Sequence, residues 1–241
     1  MKKELRDEIK QDEFASGLEA AVEWLAAHKD EVRIGAGVAL VLLAAAGAVV
    51  YFQSQRAREA DRAFRDALTA FESPVASELS PGEQRPSGQV FPTAEEKYKT
   101  SAAAFEGVER RFGSSKTTVR AKYYEALSRV ELGQYPEAEK GLQEVQSKGA
   151  GLEGELARVA LANLYRRSGQ TDKAVEAYRG LATNPSASLP RDFALLSAAQ
   201  TLDDAKRWAE ARAAYRQVYE EFSASVYASE AKARAEYLAN L

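Results

Sequence analysis

Along most of the chain, apolar residues recur three and four positions apart, the spacing that gathers them on one face of an α-helix. The exception is Ile34–Phe52, IGAGVALVLLAAAGAVVYF, 19 residues without a charge. As a helix rising about 1.5 Å per residue this run is about 28 Å long, close to the roughly 30 Å hydrocarbon core of a bilayer. It predicts a transmembrane helix over residues 34–53, and no other stretch of the 241 residues has the composition to span a membrane. The chain then divides into a tail, 1–33, the transmembrane helix, 34–53, and a body, 54–241.

In the tail, Phe14, Leu18, Val22 and Leu25 fall four, four and three apart and predict an amphipathic helix with one apolar stripe. Trp24 and His28 just precede the run, where amphipathic rings favour the membrane surface. Ala46-Gly47-Ala48 offers the small residues of a signal-peptide cleavage site. However, the leading region of a signal peptide is short and basic, whereas here 33 residues with excess acid come first. A retained single-pass anchor fits better. The flanking charges do not fix its orientation. Lys29 and Arg33 before the run against Arg56, Arg58, Arg62 and Arg65 after it favour a cytoplasmic body under the positive-inside rule; adding Lys2, Lys3, Arg6 and Lys10 reverses the balance.

The body repeats itself. RAKYYEALSRVELGQYPEAEKGLQEV (120–145), LARVALANLYRRSGQTDKAVEAYRGL (156–181) and FALLSAAQTLDDAKRWAEARAAYRQV (193–218) superpose, so that Ala126, Ala162 and Ala199 correspond at intervals of 36 and 37 residues. Ala138, Ala174 and Ala211 correspond at the same intervals, followed four residues later by Leu142, Tyr178 and Tyr215, and three beyond those by Val145, Leu181 and Val218. Offsets of four and three lie on one helical face. The alanines predict the contact between two antiparallel helices, which approach closely only where the facing side chains are small. Gly133 and Gly169 end the first helix, as a left-handed C-cap favours; Lys206 occupies that slot in the third unit, which predicts a longer or a strained turn. Tyr135, Thr171 and Trp208 follow two residues later, where a ring packs the turn. This pattern resembles the tetratricopeptide repeat, whose unit is a pair of antiparallel helices.

An earlier unit is split. Ser101, Phe105, Val108 and Phe112 repeat the spacing of Ala211, Tyr215, Val218 and Phe222, so 94–112 reads as a second helix. Its first helix, 55–72, continues from the membrane helix with Ala60, Ala63, Phe64, Ala67, Leu68 and Phe71 on one face, an arrangement that leaves little linker between membrane and array. Between them, 73–93 is a Pro-rich insertion loop holding four of the seven prolines, expected to be mobile. Tyr227–Leu241 reads as a lone amphipathic helix covering the open end of the stack. The fold expected is all-α: a transmembrane helix, an α-solenoid of about four tetratricopeptide-like hairpins, and a C-terminal capping helix.

Composition narrows the chemistry. The tail carries six Lys+Arg and nine Asp+Glu, leaving 27 of each in the remainder, so the body is neutral and offers no electrostatic reason to bind nucleic acid. With no cysteine, and with the single histidine, His28, outside the body, the usual bases and nucleophile activators are missing, so that an enzyme here would have to work by carboxylate chemistry alone. There is no phosphate-binding loop, dinucleotide fingerprint or metal-ligand spacing. The expectation is therefore a non-enzyme without catalytic residues, cofactor, metal or small-molecule substrate. A stack of hairpins presents its first helices along a concave surface suited to peptides and proteins. Helical offsets point Tyr123, Asn163, Arg166, Arg167, Gln200 and Asp203 toward that groove.

Tail, apolar helix and divergent repeats together resemble the YfgM-type ancillary subunits of the bacterial SecYEG translocon. The matching passages are EWLAAHKDEVRIGAGVALVLLAAAGAVVYF, Gly133/Ala138, Gly169/Ala174 and the terminal SVYASEAKARAEYLANL. The resemblance implies a single-pass type II protein of the bacterial inner membrane, with a cytoplasmic N-terminus and a periplasmic body. It also implies partners among translocon subunits, periplasmic chaperones or emerging unfolded chains. The Pro-rich insertion and Lys206 depart from the simple pattern. A repeat scaffold for another envelope complex, such as division or outer-membrane assembly machinery, would share the same fold.

Overall fold

The computed structural model describes residues 24–78, 88–113, 115–149, 151–183 and 189–240. The stripe expected at Phe14, Leu18 and Val22, and the centre of the Pro-rich insertion, 79–87, lie outside the described residues. The chain forms two compact units, Met1–Arg56 and Ala57–Leu241.

In the first unit, Trp24 and His28 stack with ring centroids 4.7 Å apart, ahead of α1 (Lys29–Glu72), a single helix of 44 residues. Its apolar run is bare: Ile34, Leu40, Val41, Leu43 and Phe52 are each 67–69% exposed. A core helix of a globular protein would be mostly covered, whereas none of this window is buried. By length and composition the helix can cross a membrane.

The second unit is a stack of hairpins. Residues 57–72 of α1 pair with α2 (Ala94–Phe112), α3 (Lys116–Glu131) with α4 (Tyr135–Lys148), α5 (Leu152–Arg167) with α6 (Thr171–Thr183), and α7 (Arg191–Asp204) with α8 (Trp208–Glu221); α9 (Ala228–Leu238) follows. From α2 onward each helix packs on the next, and α3 also touches α5. Among the described residues no strand forms, apart from one isolated bridge.

The alanines sit where the repeat register puts them. Ala126, Ala138, Ala162, Ala174, Ala199 and Ala211 are all 0–1% exposed, and a Cβ built on Gly141 would lie only 3.1 Å from the Cβ of Ala126. Around these contacts Leu142 and Val145, Tyr178 and Leu181, and Tyr215 and Val218 fill the space between hairpins. The split first unit uses rings instead. Phe105 packs against Phe64 at 5.7 Å and Tyr124 at 5.5 Å between centroids, and Phe71 packs against Tyr124 at 5.3 Å.

The insertion is anchored at its described ends. Val75 and Phe91 form a parallel bridge, with Ala76 N donating to Phe91 O at 2.8 Å and Phe91 N to Pro74 O at 3.0 Å. Both side chains are buried, and Val75 N donates to Glu78 Oε2 at 2.9 Å. The ends expected to be mobile are thus held by burial and backbone bonds; two isolated apolar residues among prolines gave no periodicity to reveal it. At the other end, α9 buries Ala231, Ala235 and Leu238 and exposes Ser229, Glu230, Lys232 and Glu236, a polar outer face that closes the stack.

The three repeat turns are identical in form. Gly133, Gly169 and Lys206 have φ of 72°, 73° and 59°. Each donates its N–H to the carbonyl three residues back, while the next residue donates to the carbonyl five back: Gln134 to Arg129, Gln170 to Tyr165 and Arg207 to Leu202, all at 2.9 Å. This is the double bond of a Schellman turn. The third turn is therefore strained rather than longer, because its hydrogen bonds require a left-handed residue and lysine carries a Cβ. We expect Lys206→Gly to raise stability by about 1 kcal/mol in urea or thermal unfolding; an unchanged or lowered midpoint would show that the lysine turn costs nothing.

Candidate functional site

The six residues assigned to the groove lie on three successive first helices and have different surroundings. Tyr123, on α3, is half-buried against the apolar cluster of α3–α5, and burial pushes its phenol upward. Asn163, on α5, is exposed and accepts a 2.6 Å hydrogen bond from the Tyr178 hydroxyl. Arg166 and Arg167 end α5. Gln200 is half-buried on α7, and Asp203 is buried near the end of the same helix.

The two arginines join neighbouring hairpins. Arg167 forms a two-pronged pair with Glu131, the last residue of α3, and Arg166 donates to Asp204, the last residue of α7, from Nε at 3.0 Å and Nη2 at 2.7 Å. Glu131, Arg167 and Asp204 share one register position, so the end of α5 is ion-paired to the equivalent ends on both sides. A second set of pairs runs along the other helices: Lys173 with Glu139, and Arg207 with both Asp172 and Glu210. Exposed pairs of this kind contribute about 0–1 kcal/mol each. Arg166 and Arg167 can therefore exchange Asp204 and Glu131 for carboxylates on a partner at little cost.

Asp203 is held more firmly. Arg234 of α9 grips its carboxylate from Nε and Nη2, the Tyr215 hydroxyl donates to it at 3.2 Å, and the arginine bond first of all keeps its carboxyl below the usual range. With Ser225 Oγ donating to Asp192 at 2.6 Å and Phe193 packed on Tyr227 at 5.5 Å, the C-terminal segment covers α7. Helical offset alone marked Asp203 as groove-facing. The structure puts the capping helix on that face, and the exposed part of the six-residue set is Asn163 and Arg167, with Tyr123, Arg166 and Gln200 partly covered.

A polar cluster that spacing did not single out lies between α2 and α3. Lys122 Nζ donates to Glu109 at 2.7 Å and to Glu125 at 2.9 Å, and Arg129 donates to Glu125 at 2.7 Å. The side chains of Glu109, Lys122 and Glu125 are 18%, 24% and 5% exposed. The cluster borders a cleft of about 760 Å³ between α2, α3 and α4, which Val119, Val145, Lys148 and Gly149 also line. Burial raises the Glu125 carboxyl, but the bonds from Lys122 and Arg129 outweigh it and leave the group below its ordinary value. Glu109 has one cation to share with Glu125, and its Oε1 is a buried oxygen without a hydrogen-bond partner among the described residues. Burial pushes its carboxyl up to about 7, with the Lys122 bond opposing the rise and the charge of Glu125 adding to it. One signal in the sequence marks this site: in the repeat register Glu125 stands where the later units carry Leu161 and Ala198, both buried.

The tetratricopeptide repeat-like domain profile matches residues 23–239. No curated protein and no solved structure matches the chain.

The buried cluster makes stability pH-dependent. Between the ordinary carboxyl value of 4.5 and about 7, the folded chain keeps a proton on Glu109 that the unfolded chain has released. This contribution is complete below the lower value and is lost as pH rises through the upper one. Glu109→Gln keeps an acceptor for Lys122 and removes the titration. We expect the variant to lose less stability than the parent between about pH 5 and about pH 8, by on the order of 2 kcal/mol in urea unfolding. Equal losses would show that Glu109 is ionised throughout.

Proposed function

The chain belongs to the tetratricopeptide repeat-like family, and from that premise we propose that it is a protein-binding adaptor held in a membrane by Ile34–Phe52. The observation that carries the binding part is the ion-paired face of α3 and α5. There Tyr123, Asn163, Arg166 and Arg167 stand on a packed scaffold, and the arginines' present partners are exchangeable surface carboxylates. Half-buried Gln200 extends this face onto α7, while Asp203, held by Arg234, borders it beneath α9. A phenol, an amide and two guanidinium groups recognise the backbone and carboxylates of a polypeptide. The role is non-catalytic and needs no cofactor, and its partners are proteins. The anchor part is supported by an apolar run that is uncovered along its whole length.

More finely, the body is periplasmic and the N-terminus cytoplasmic, in a single-pass type II arrangement across a bacterial inner membrane. The adaptor is ancillary to the Sec translocon and links it to periplasmic chaperones or emerging chains. The support for this part is the whole-chain resemblance in architecture; the flanking charges are neutral on the question.

Two measurements test these statements. Crosslinking in intact membranes followed by pull-down is expected to enrich translocon subunits, and Arg166→Glu/Arg167→Glu is expected to reduce that enrichment several-fold with helical content unchanged. Enrichment of division or outer-membrane assembly proteins instead would replace the translocon reading with that of another envelope scaffold. Protease added to spheroplasts is expected to digest the body; protection until lysis would place it in the cytoplasm.

A further inference from the structure

The part of α1 that belongs to the array carries an arginine stripe that packing within the array does not use. Arg58, Arg62 and Arg65 are four and three residues apart, which sets them on one helical face, and all three are exposed. They lie opposite the face that buries Ala60 and Ala67 and packs Phe64 against α2 and α3. Nearby acids are engaged elsewhere: Glu59 accepts from Arg111 at 3.4 Å, and Asp61 accepts from Thr117 Oγ1 at 2.6 Å. Asp66 flanks the stripe, yet among the described residues no ion pair forms to any of its three arginines.

The stripe follows closely on the apolar run. Arg58 is six residues beyond Phe52 in the same helix. At no more than about 3.6 Å per residue, six residues keep Arg58 within about 22 Å of the end of the run, and the headgroup layer itself extends about 5–8 Å past the hydrocarbon edge. A cationic face tethered this closely to the anchor is within reach of the headgroup layer, whose attraction extends over about one Debye length, roughly 8 Å. A guanidinium group matches a phosphate with two parallel N–H donors and is weakly hydrated, so it gives up water readily at such a surface.

We propose that Arg58, Arg62 and Arg65 form a lipid-contact stripe that binds the anionic headgroups of phospholipids in the leaflet from which the array emerges. This rests on the reading of Ile34–Phe52 as a membrane anchor.

The full chain, reconstituted in bilayers of phosphatidylcholine mixed with phosphatidylglycerol, provides the test. Native mass spectrometry of the released protein is expected to show bound phosphatidylglycerol enriched several-fold over the bulk ratio. The enrichment should be lost in Arg58→Gln/Arg62→Gln/Arg65→Gln and at high salt, and kept when the same three positions are lysine. Bound lipid at the bulk ratio in the parent chain, or enrichment that survives the glutamine variant, would overturn the stripe. Alkaline carbonate extraction of the same bilayers separates the two claims: release of the parent chain would overturn the anchor, whereas retention without headgroup selection would overturn the stripe alone.

Discussion

Each complete repeat depends on how closely two antiparallel helices can approach at one point. Ala126 with Ala138, Ala162 with Ala174, and Ala199 with Ala211 have almost no exposed surface, and at Gly141 even a methyl group would press on Ala126. A larger side chain at any of these positions would part the hairpin and move Leu142, Tyr178 or Tyr215 off the neighbouring unit, because a close-packed interior has no room to absorb the change. The same approach sets the spacing at which successive first helices end side by side. That spacing brings Glu131, Arg167 and Asp204 into one row.

The ends of the array differ from its middle. A stack of repeats is stabilised by each unit and by the contact with its neighbours, so a terminal unit lacks one contact. At the start, the deficit is met by the rings of Phe64, Phe71, Phe105 and Tyr124, and the seam beside them contains the buried set Glu109, Lys122, Glu125 and Arg129. At the finish, α9 covers α7, with Arg234 on Asp203 as its polar fastening. Charge is therefore used in two ways. Between the central hairpins it lies at the surface and can be exchanged, while at the first seam it is enclosed and sensitive to proton concentration.

What could be read from the sequence was whatever the helix–helix contact writes at a fixed period. The alanines, the aromatic and aliphatic positions after them, and the glycines at two turns gave the hairpins and their register. Lys206 was legible as an exception but not as a solution, since a left-handed lysine and a longer turn leave the same trace in a sequence. The row of Glu131, Arg167 and Asp204 was hidden because ion pairs between units depend on how hairpins stack, and charged residues at helix ends look alike whether paired or not. Asp203 shows the limit of helical offset: direction on a helix does not say which later segment folds over it. Glu109 and Glu125 were obscured by the general rule that carboxylates face water, although the apolar residues at the equivalent of Glu125 in later units were a usable sign.

The bridge between Val75 and Phe91 gives the Pro-rich insertion a neck. Closed there by two backbone bonds and two buried side chains, the described ends of the insertion are held to each other at one point. Chain length carried between two fixed points costs stability through loop closure, about 0.6 kcal/mol for each doubling. Between such fixed points a sequence of another length can be carried without disturbing the register of the repeats. Val75 and Phe91 thereby separate the length of the insertion from the geometry of the first hairpin.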